Sequence, residues 1–483
     1  MSQLKDLKPT AIWHYFEEIC QIPRPSKKEE QILAYLLKFA ADHKLPVKQD
    51  KAGNVLITKP ATAGFEHLPT VVLQSHVDMV CEKNSDTVHD FLTDPIRPVI
   101  DGEWVKASGT TLGADDGIGM AAQLALLASD DMQHGPVECL FTVDEETGLT
   151  GAFALESDLL TGKYLINLDS EDEGEIFIGC AGGIDSLGYF TPSYETPAAG
   201  SFAFKASVTG LKGGHSGEDI NRGLGNAIKF LTRFLREAAI RYEFRPAAIT
   251  GGNLRNAIAR EAFTWGVAPA KYKEDLRVLF NCIAADLEAE YKDVEPGIKC
   301  QLESADMPEK VFTSDFAATL INTLYALPHG VMAMSRQIEG LVETSTNLAS
   351  IKLINDQVVI STSQRSSIES ARDNIAAMVE SVFDMAGANT IHSDGYPGWA
   401  PNRKSPMLAV AIESYKRLFG IEPKVKAIHA GLECGLFLKK YPHLDMISIG
   451  PTVRGAHSPD ERIHILSVEK FTKYLGDILL HLA

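Results

Sequence analysis

The stretch VVLQSHVD, Val71 to Asp78, is an apolar run that stops on an imidazole and a carboxylate. It reads as a strand, and the same pattern recurs along the chain. VECLFTVDEE ends at Glu145 and Glu146, YLINLDSE reaches Asp169, and MISIGPTVRGAH ends at His457. A fifth stretch, TLGADDGIG, sets Asp115 and Asp116 just ahead of a helical pattern. Ligands of α/β proteins gather outside the carboxyl ends of the strands, so these stretches point to one shared site. Carboxylates and imidazoles are the donor set for zinc and similar divalent ions. Two histidines with several acids suit two ions better than one.

Outward from that stretch, strands are expected at 53–58, 70–76, 137–143 and 163–168, with a helix at 117–129 between two of them. Such alternation indicates a largely parallel sheet covered by helices. Two helices precede it. One runs from Thr10 to Gln21, and the other starts at Ser26, with Glu29 completing a capping box. The glycine-rich GCAGGID, Gly179 to Asp185, reads as a break suited to a crossover. Alternating segments and the helix NAIKFLTRFLREAAI follow, a mix of α+β character. A second break, Ser393 to Pro406, precedes a helix at 407–418, the strand DMISIGP and a final helix at 467–481. His457 lies far beyond Asp169, so the two chain ends are expected to share a domain. The fold class is therefore α/β. A discontinuous catalytic domain with a mostly parallel sheet flanked by helices takes residues 1–182 and 399–483, and an inserted α+β lid domain takes 183–398.

Bulk properties narrow the class. A chain of 483 residues is too long for one hydrophobic core. With 45% hydrophobic and 23% charged residues it has an ordinary globular composition. A net charge of −18 lacks the basic footprint of a nucleic-acid binder. The seven cysteines are dispersed, without a C-x-x-C pair, so neither a disulfide framework nor a structural zinc finger is expected. The first residues lack the pattern of a signal peptide. No apolar stretch is long enough to span a membrane. The expectation is a cytoplasmic protein with no membrane or nucleic-acid partner.

Single residues offer competing readings. His76 and Asp78, two apart on a strand, face the same way. A ligating imidazole commonly donates its second N–H to a carboxylate, although a strand-end histidine beside a solvated acid has the same spelling. Asp115 and Asp116 suit a helix N-terminus by capping and dipole, yet a carboxylate can also bridge two cations ~3.5–4 Å apart. Adjacent Glu145 and Glu146 at a strand end should point apart. One could ligate a metal while the other serves as base to metal-activated water. An acidic turn is the plainer alternative. Glu171, Asp172 and Glu173 read as a solvated loop. The H-E-x-x-H helix, the G-x-S-x-G elbow and the phosphate-binding G-x-x-x-x-G-K loop are all missing from the sequence.

The strings SHVDMVCEKN, TTLGADDGIGMA, TVDEETGLTGA, INLDSEDEGEIFIGCAGG, GLKGGHSGEDI, HAGLECG and SIGPTVRGAHSPDERI are spread from residue 75 to 463. Their order and spacing resemble the M20 family of cocatalytic dizinc peptidases, above all its aminoacyl-histidine (Xaa-His, carnosinase-like) dipeptidase branch. The resemblance implies two divalent metal ions, zinc before cobalt or manganese. In it Asp115 is the bridging carboxylate, His76 and Asp169 complete one metal, and Glu146 and His457 complete the other. Glu145 is the general base and Asp78 orients His76. In the lid, His215 polarises the scissile carbonyl, while Asn256 and Arg365 hold the terminal carboxylate, for which an Arg fork is apt. Glu433 lies near the substrate amine. The implied activity is hydrolysis of Xaa-His dipeptides, beta-alanyl-histidine included, with a small peptide as partner and a homodimer left open. Two rivals remain. One is another amide hydrolase of the family, a tripeptidase or an N-acyl amino acid deacylase. The other is a non-catalytic metal-dependent binding protein on the same fold, against which the retained Glu145 and ligand set count.

Overall fold

The computed structural model describes residues 4–482. The chain divides into two compact units. The first runs as far as Cys180, resumes over Trp399–Ala427 and continues from Leu432; the second comprises Ala181–Gly398 and Ile428–Gly431.

The first unit is built on an eight-stranded sheet. At its centre Val71–His76 pairs in parallel with Val137–Thr142 on one side and Tyr164–Asn167 on the other. Asp445–Ser448 adds to Tyr164–Asn167, again in parallel. Val71–His76, Val137–Thr142 and Tyr164–Asn167 are buried at every residue. Strands covered on both faces have no polar side to show, hence their unbroken apolar spelling. Towards its margins the sheet turns antiparallel: Val55–Lys59 runs against Val137–Thr142, and Glu175–Cys180 meets Asp445–Ser448. The four central strands therefore deliver their C-terminal ends to one edge. Helix Ala114–Ala128 lies on Val71–His76 and is covered in turn by Thr10–Cys20. A separate four-stranded sheet contains Pro98–Asp101, Trp104–Ala107, Arg462–His464 and Val453–Arg454.

The second unit carries a nine-stranded sheet whose pairings are all antiparallel. Helices Ala227–Tyr242, Lys273–Tyr291, Ser314–Ala326 and Glu369–Met385 contribute Phe234, Phe280, Leu320 and Phe383 to a core shared with Phe204, Leu348 and Ile360 of the sheet. Asn226 caps the first of these helices, accepting from the backbone N–H of Ile228 and Lys229.

One local expectation needs correction. The second helix begins at Glu30, and Ser26 does not cap it. The Ser26 hydroxyl instead donates to Asp78 Oδ2 at 2.7 Å, and Glu29 accepts from the backbone N–H of Lys27 and Asp144. A buried anion at Asp78 is the stronger acceptor. GCAGGID holds the point where the first unit gives way to the second, after Cys180, and on either side of Ala181 its residues are strand, Glu175–Cys180 and Gly182–Phe190. Its glycines admit close backbone approach. A Cβ at Gly182 would fall 2.4 Å from the Gly398 nitrogen, and one at Gly183 would fall 2.7 Å from the Tyr396 ring.

Candidate metal centre

Three adjacent parallel strands end in chemistry. His76 is the last residue of its strand, Glu145 and Glu146 follow Thr142 by a short turn, and Asp169 follows Asn167. Asp115 comes from the kinked start of helix Ala114–Ala128. There Gly113 takes a left-handed φ of 69°, Asp115 and Asp116 leave helical geometry, and the peptide between them is cis. His457 arrives differently from the others. It sits in the loop of the hairpin Val453–Arg454/Arg462–His464, with a φ of 62°, rather than at a strand end of the large sheet.

Asp115 lies between the two histidines. Its Oδ1 is 3.0 Å from His76 Nε2 and its Oδ2 is 3.1 Å from His457 Nε2. Asp169 Oδ1 lies 3.4 Å from the same His76 nitrogen, and Glu146 Oε2 lies 3.1 Å from the same His457 nitrogen. Two triads result, His76–Asp115–Asp169 and Asp115–Glu146–His457, sharing one carboxylate. On the far side of the imidazole, His76 Nδ1 lies 3.4 Å from Asp78 Oδ1 and 3.2 Å from the Asp78 carbonyl oxygen. Asp78 does more than face that ring. It also accepts from the backbone N–H of Glu145 at 3.0 Å and of Glu146 at 3.2 Å.

Glu145 and Glu146 open a four-residue helical turn, Glu145–Gly148, rather than extending the strand. A helical turn splays neighbours less than a strand does. Each therefore brings an oxygen into one group with His76, all within 4.8 Å of one another, contrary to the expectation that they point apart. The acids after Asp169 do lie in a loop, but they are not simply solvated. Asp172 pairs with Arg454 and Glu173 with Lys470, while Glu171 is half-buried near Asp115, Asp169 and His457. These pairings join residues far apart in sequence, and no local signal announces them. A further acidic group, Glu29–Asp78–Asp144, is buried, but hydrogen bonds from Ser26, Thr147, Thr150 and backbone amides occupy it.

The electrostatics are those of crowded acids. Burial works against a charged His76, but Asp169, Asp115 and Asp78 outweigh it and hold its pKa well above the usual range. Hydrogen bonds donated to Asp115 and Glu146 lift His457 to about 11. Asp115 resists its own burial because both histidines lower its pKa. Asp78 falls to about 2 against burial, through His76, Ser26 and the Glu145 amide. The acids without such partners go the other way. Burial and neighbouring negative charge raise Asp169 to about 7, and raise Glu145 and Asp116 well above the ordinary range. Glu146 Oε1 and Asp116 Oδ2 are buried without a hydrogen-bond partner. Orphaned carboxylate oxygens among imidazole nitrogens fit a divalent-cation site.

Glu433 begins helix Glu433–Lys440 and is 1% exposed. Its Oε2 accepts from Gln74 at 2.6 Å and Thr142 at 2.9 Å, while Oε1 is buried and unpartnered. Burial raises its pKa to about 8.

Within the second unit, His215 and Asn256 line one cleft of ≈ 720 Å³ together with Lys212, Arg260 and Lys352. His215 Nδ1 accepts from the backbone N–H of Gly217 and Glu218, which leaves the ring proton on Nε2. Burial and the Arg365 charge lower its pKa, so the ring is neutral. Asn256 is exposed, and its carbonyl accepts from Ser216. Arg365 is 7% exposed and outside that cleft lining. Its Nη1 donates to the Tyr396 hydroxyl at 2.9 Å and its Nε has no partner.

Residues 72–481 match the Peptidase family M20/M25/M40. The chain is 47% identical to the cytosol non-specific dipeptidase of Escherichia coli (strain K12) over 479 residues, 99% of each chain. The crystal structure of aminoacylhistidine dipeptidase from Vibrio alginolyticus superposes with a TM-score of 0.93 at 45% identity, covering 100% of this chain and 98% of that one. A tripeptidase from Staphylococcus aureus shares the fold alone, with a TM-score of 0.57, 16% identity and 99% of both chains covered.

Proposed function

The chain belongs to peptidase family M20/M25/M40, and from that premise we propose that it is a dipeptidase working with two divalent cations, zinc before cobalt or manganese. The observation that carries this reading is Asp115, whose two oxygens face two different histidines. His76, Asp115 and Asp169 would hold one cation, and Asp115, Glu146 and His457 the other. When bound, the cations supply Lewis acidity, which draws the pKa of a bound water towards ~7 and polarises a carbonyl.

The chain's own groups do the rest. Glu145 takes a proton from the attacking water and passes it to the leaving nitrogen. Asp78 holds His76 by Nδ1 so that Nε2 presents its lone pair. His215 offers its Nε2–H to the substrate carbonyl oxygen. Arg365, with Asn256, takes the terminal carboxylate, and Glu433 takes the free amine. The buried, half-partnered Glu433 favours peptides over N-acyl amino acids, whose amine is blocked. One similar protein is named for non-specific dipeptide cleavage and the other for aminoacylhistidine substrates. We therefore read the substrate as dipeptides broadly, Xaa-His among them, and the compartment as the cytosol.

Metal analysis with a panel of Xaa-His, Xaa-Leu, tripeptide and N-acetyl amino acid substrates tests the reading. Metal-dependent cleavage centred on dipeptides is expected. Cleavage centred on tripeptides or acyl amino acids would move the activity elsewhere in the family. Metal binding with no hydrolysis at all would leave a binding protein.

A further inference from the structure

Two buried opposite charges stand behind the metal centre without touching any ligating atom. Glu461 is 2% exposed and Arg24 is 3% exposed. Neither meets a side-chain counter-ion among the described residues; both spend their charge on backbone. Glu461 Oε2 accepts from the N–H of Leu112 at 2.7 Å and Gly113 at 2.9 Å, and Oε1 accepts from Ala114 at 2.7 Å and Asp115 at 3.3 Å. Arg24 Nη1 donates to the carbonyls of Val77 at 2.9 Å and Asp78 at 2.7 Å, and Nη2 donates to that of Gly113 at 2.5 Å. The segment 112–115 is thus gripped by an anion on its amides and a cation on a carbonyl.

The fold makes room for this arrangement. A Cβ at Gly113 would lie 2.6 Å from Arg24 Nη2, and one at Gly117 would lie 2.7 Å from it, so the guanidinium occupies a slot cut by two glycines. The strand-like bridge Pro25↔Met79 and the Met79 N–H to Arg24 carbonyl bond lay the Arg24 segment along Val77–Met79. At the other end Glu461 closes the tight turn Ser458–Glu461, its N–H on the Ser458 carbonyl, and this turn follows His457 directly. Three loops, presenting His76, Asp115 and His457, are therefore tied together by two side chains.

We propose that Arg24 and Glu461 are positioning residues for the metal centre, which hold these loops in ligating geometry against the mutual repulsion of their acids. This rests on the reading of the centre as a cation site. Ligand loops left to relax apart would have to be reassembled by each incoming ion, at the expense of affinity.

The test uses the full-length apoprotein with Glu461→Gln, Glu461→Asp and Arg24→Lys. Gln keeps one acceptor oxygen but turns an N–H₂ towards backbone donors. Lys keeps the charge but loses the fork that reaches three carbonyls. Co²⁺ and Zn²⁺ affinities are measured by chelator competition, together with the visible spectrum of bound Co²⁺, apoprotein Tm, and KM and kcat at saturating metal. Weakening of metal affinity by ~10–100-fold is expected, with a changed Co²⁺ spectrum, a KM near that of the parent and recovery of kcat in excess metal. Parent-like affinity and spectrum in folded variants would overturn the proposal, even if Tm fell. Should Glu461→Gln fail to fold, Glu461→Asp and Arg24→Lys decide by the same criteria. A parent protein that bound neither ion would overturn the cation reading itself, and this proposal with it.

Discussion

His76 and His457 carry charge that their acidic neighbours impose on them. With folded pKa values raised well above the ordinary range for His76, and to about 11 for His457, both rings hold a proton at neutral pH in the metal-free protein. A ligating imidazole must be neutral. The sign follows directly: cations displace protons, so affinity climbs as pH rises towards those raised pKa values and falls as pH drops. Adding Zn²⁺ or Co²⁺ to weakly buffered apoprotein at pH 7 should acidify the solution, as a pH-stat or indicator dye would record. Uptake without acid release would contradict this protonation pattern. Glu145 poses a separate question, because a base need not be a ligand. Glu145→Gln should retain both metals while kcat falls by ~10²–10⁴-fold; turnover within a few-fold of the parent would remove it from the proton path. The pairing of His76 with Asp78 was suggested by their spacing of two, although Asp78 lies just past the strand that ends at His76. The amides of Glu145 and Glu146 on that same Asp78 were not, since such bonds exist only once distant loops close.

At the scale of elements, legibility followed the periodic signal. Val71–His76, Val137–Thr142 and Tyr164–Asn167 are buried on both faces, and their apolar runs announced both the strands and the edge on which they end. The hairpin presenting His457 has strands of two and three residues, too short for any periodicity to register. GCAGGID marks the passage from one unit to the next, but its glycines also admit close backbone approach, a second meaning of the same spelling. That second meaning can be measured. A side chain at Gly182 would meet backbone at Tyr396–Gly398, which cannot swing aside as a side chain tip can. Gly182→Ala should therefore cost about 1–3 kcal/mol of stability, read by urea titration. Metal content should stay unchanged, because every proposed ligand belongs to the other unit. Unaltered stability would mean that the close approach at Gly182 is no constraint on the fold.

At the scale of the whole molecule, the distribution of chemistry between the units makes a spatial prediction. A net charge of −18 is spread over the chain, but the densest buried acids and both proposed histidine ligands lie in the first unit. The second unit has its own antiparallel sheet and its own aromatic core, with no member of either triad. Cations that bind only the folded first unit stabilise it by mass action, and they do so by cancelling repulsion at a few loops rather than by adding core. Local opening should respond accordingly. In hydrogen exchange followed by mass spectrometry, metal loading should slow exchange at 76–79, 112–117, 143–147, 167–171 and 455–461. Peptides from Ser201–Thr209, Ala262–Pro269 and Gln357–Ser366 provide an internal reference and should exchange alike with and without metal. Equal slowing in those strands would mean that the ions act on the whole molecule. No slowing at the five loops would mean that they bind somewhere else.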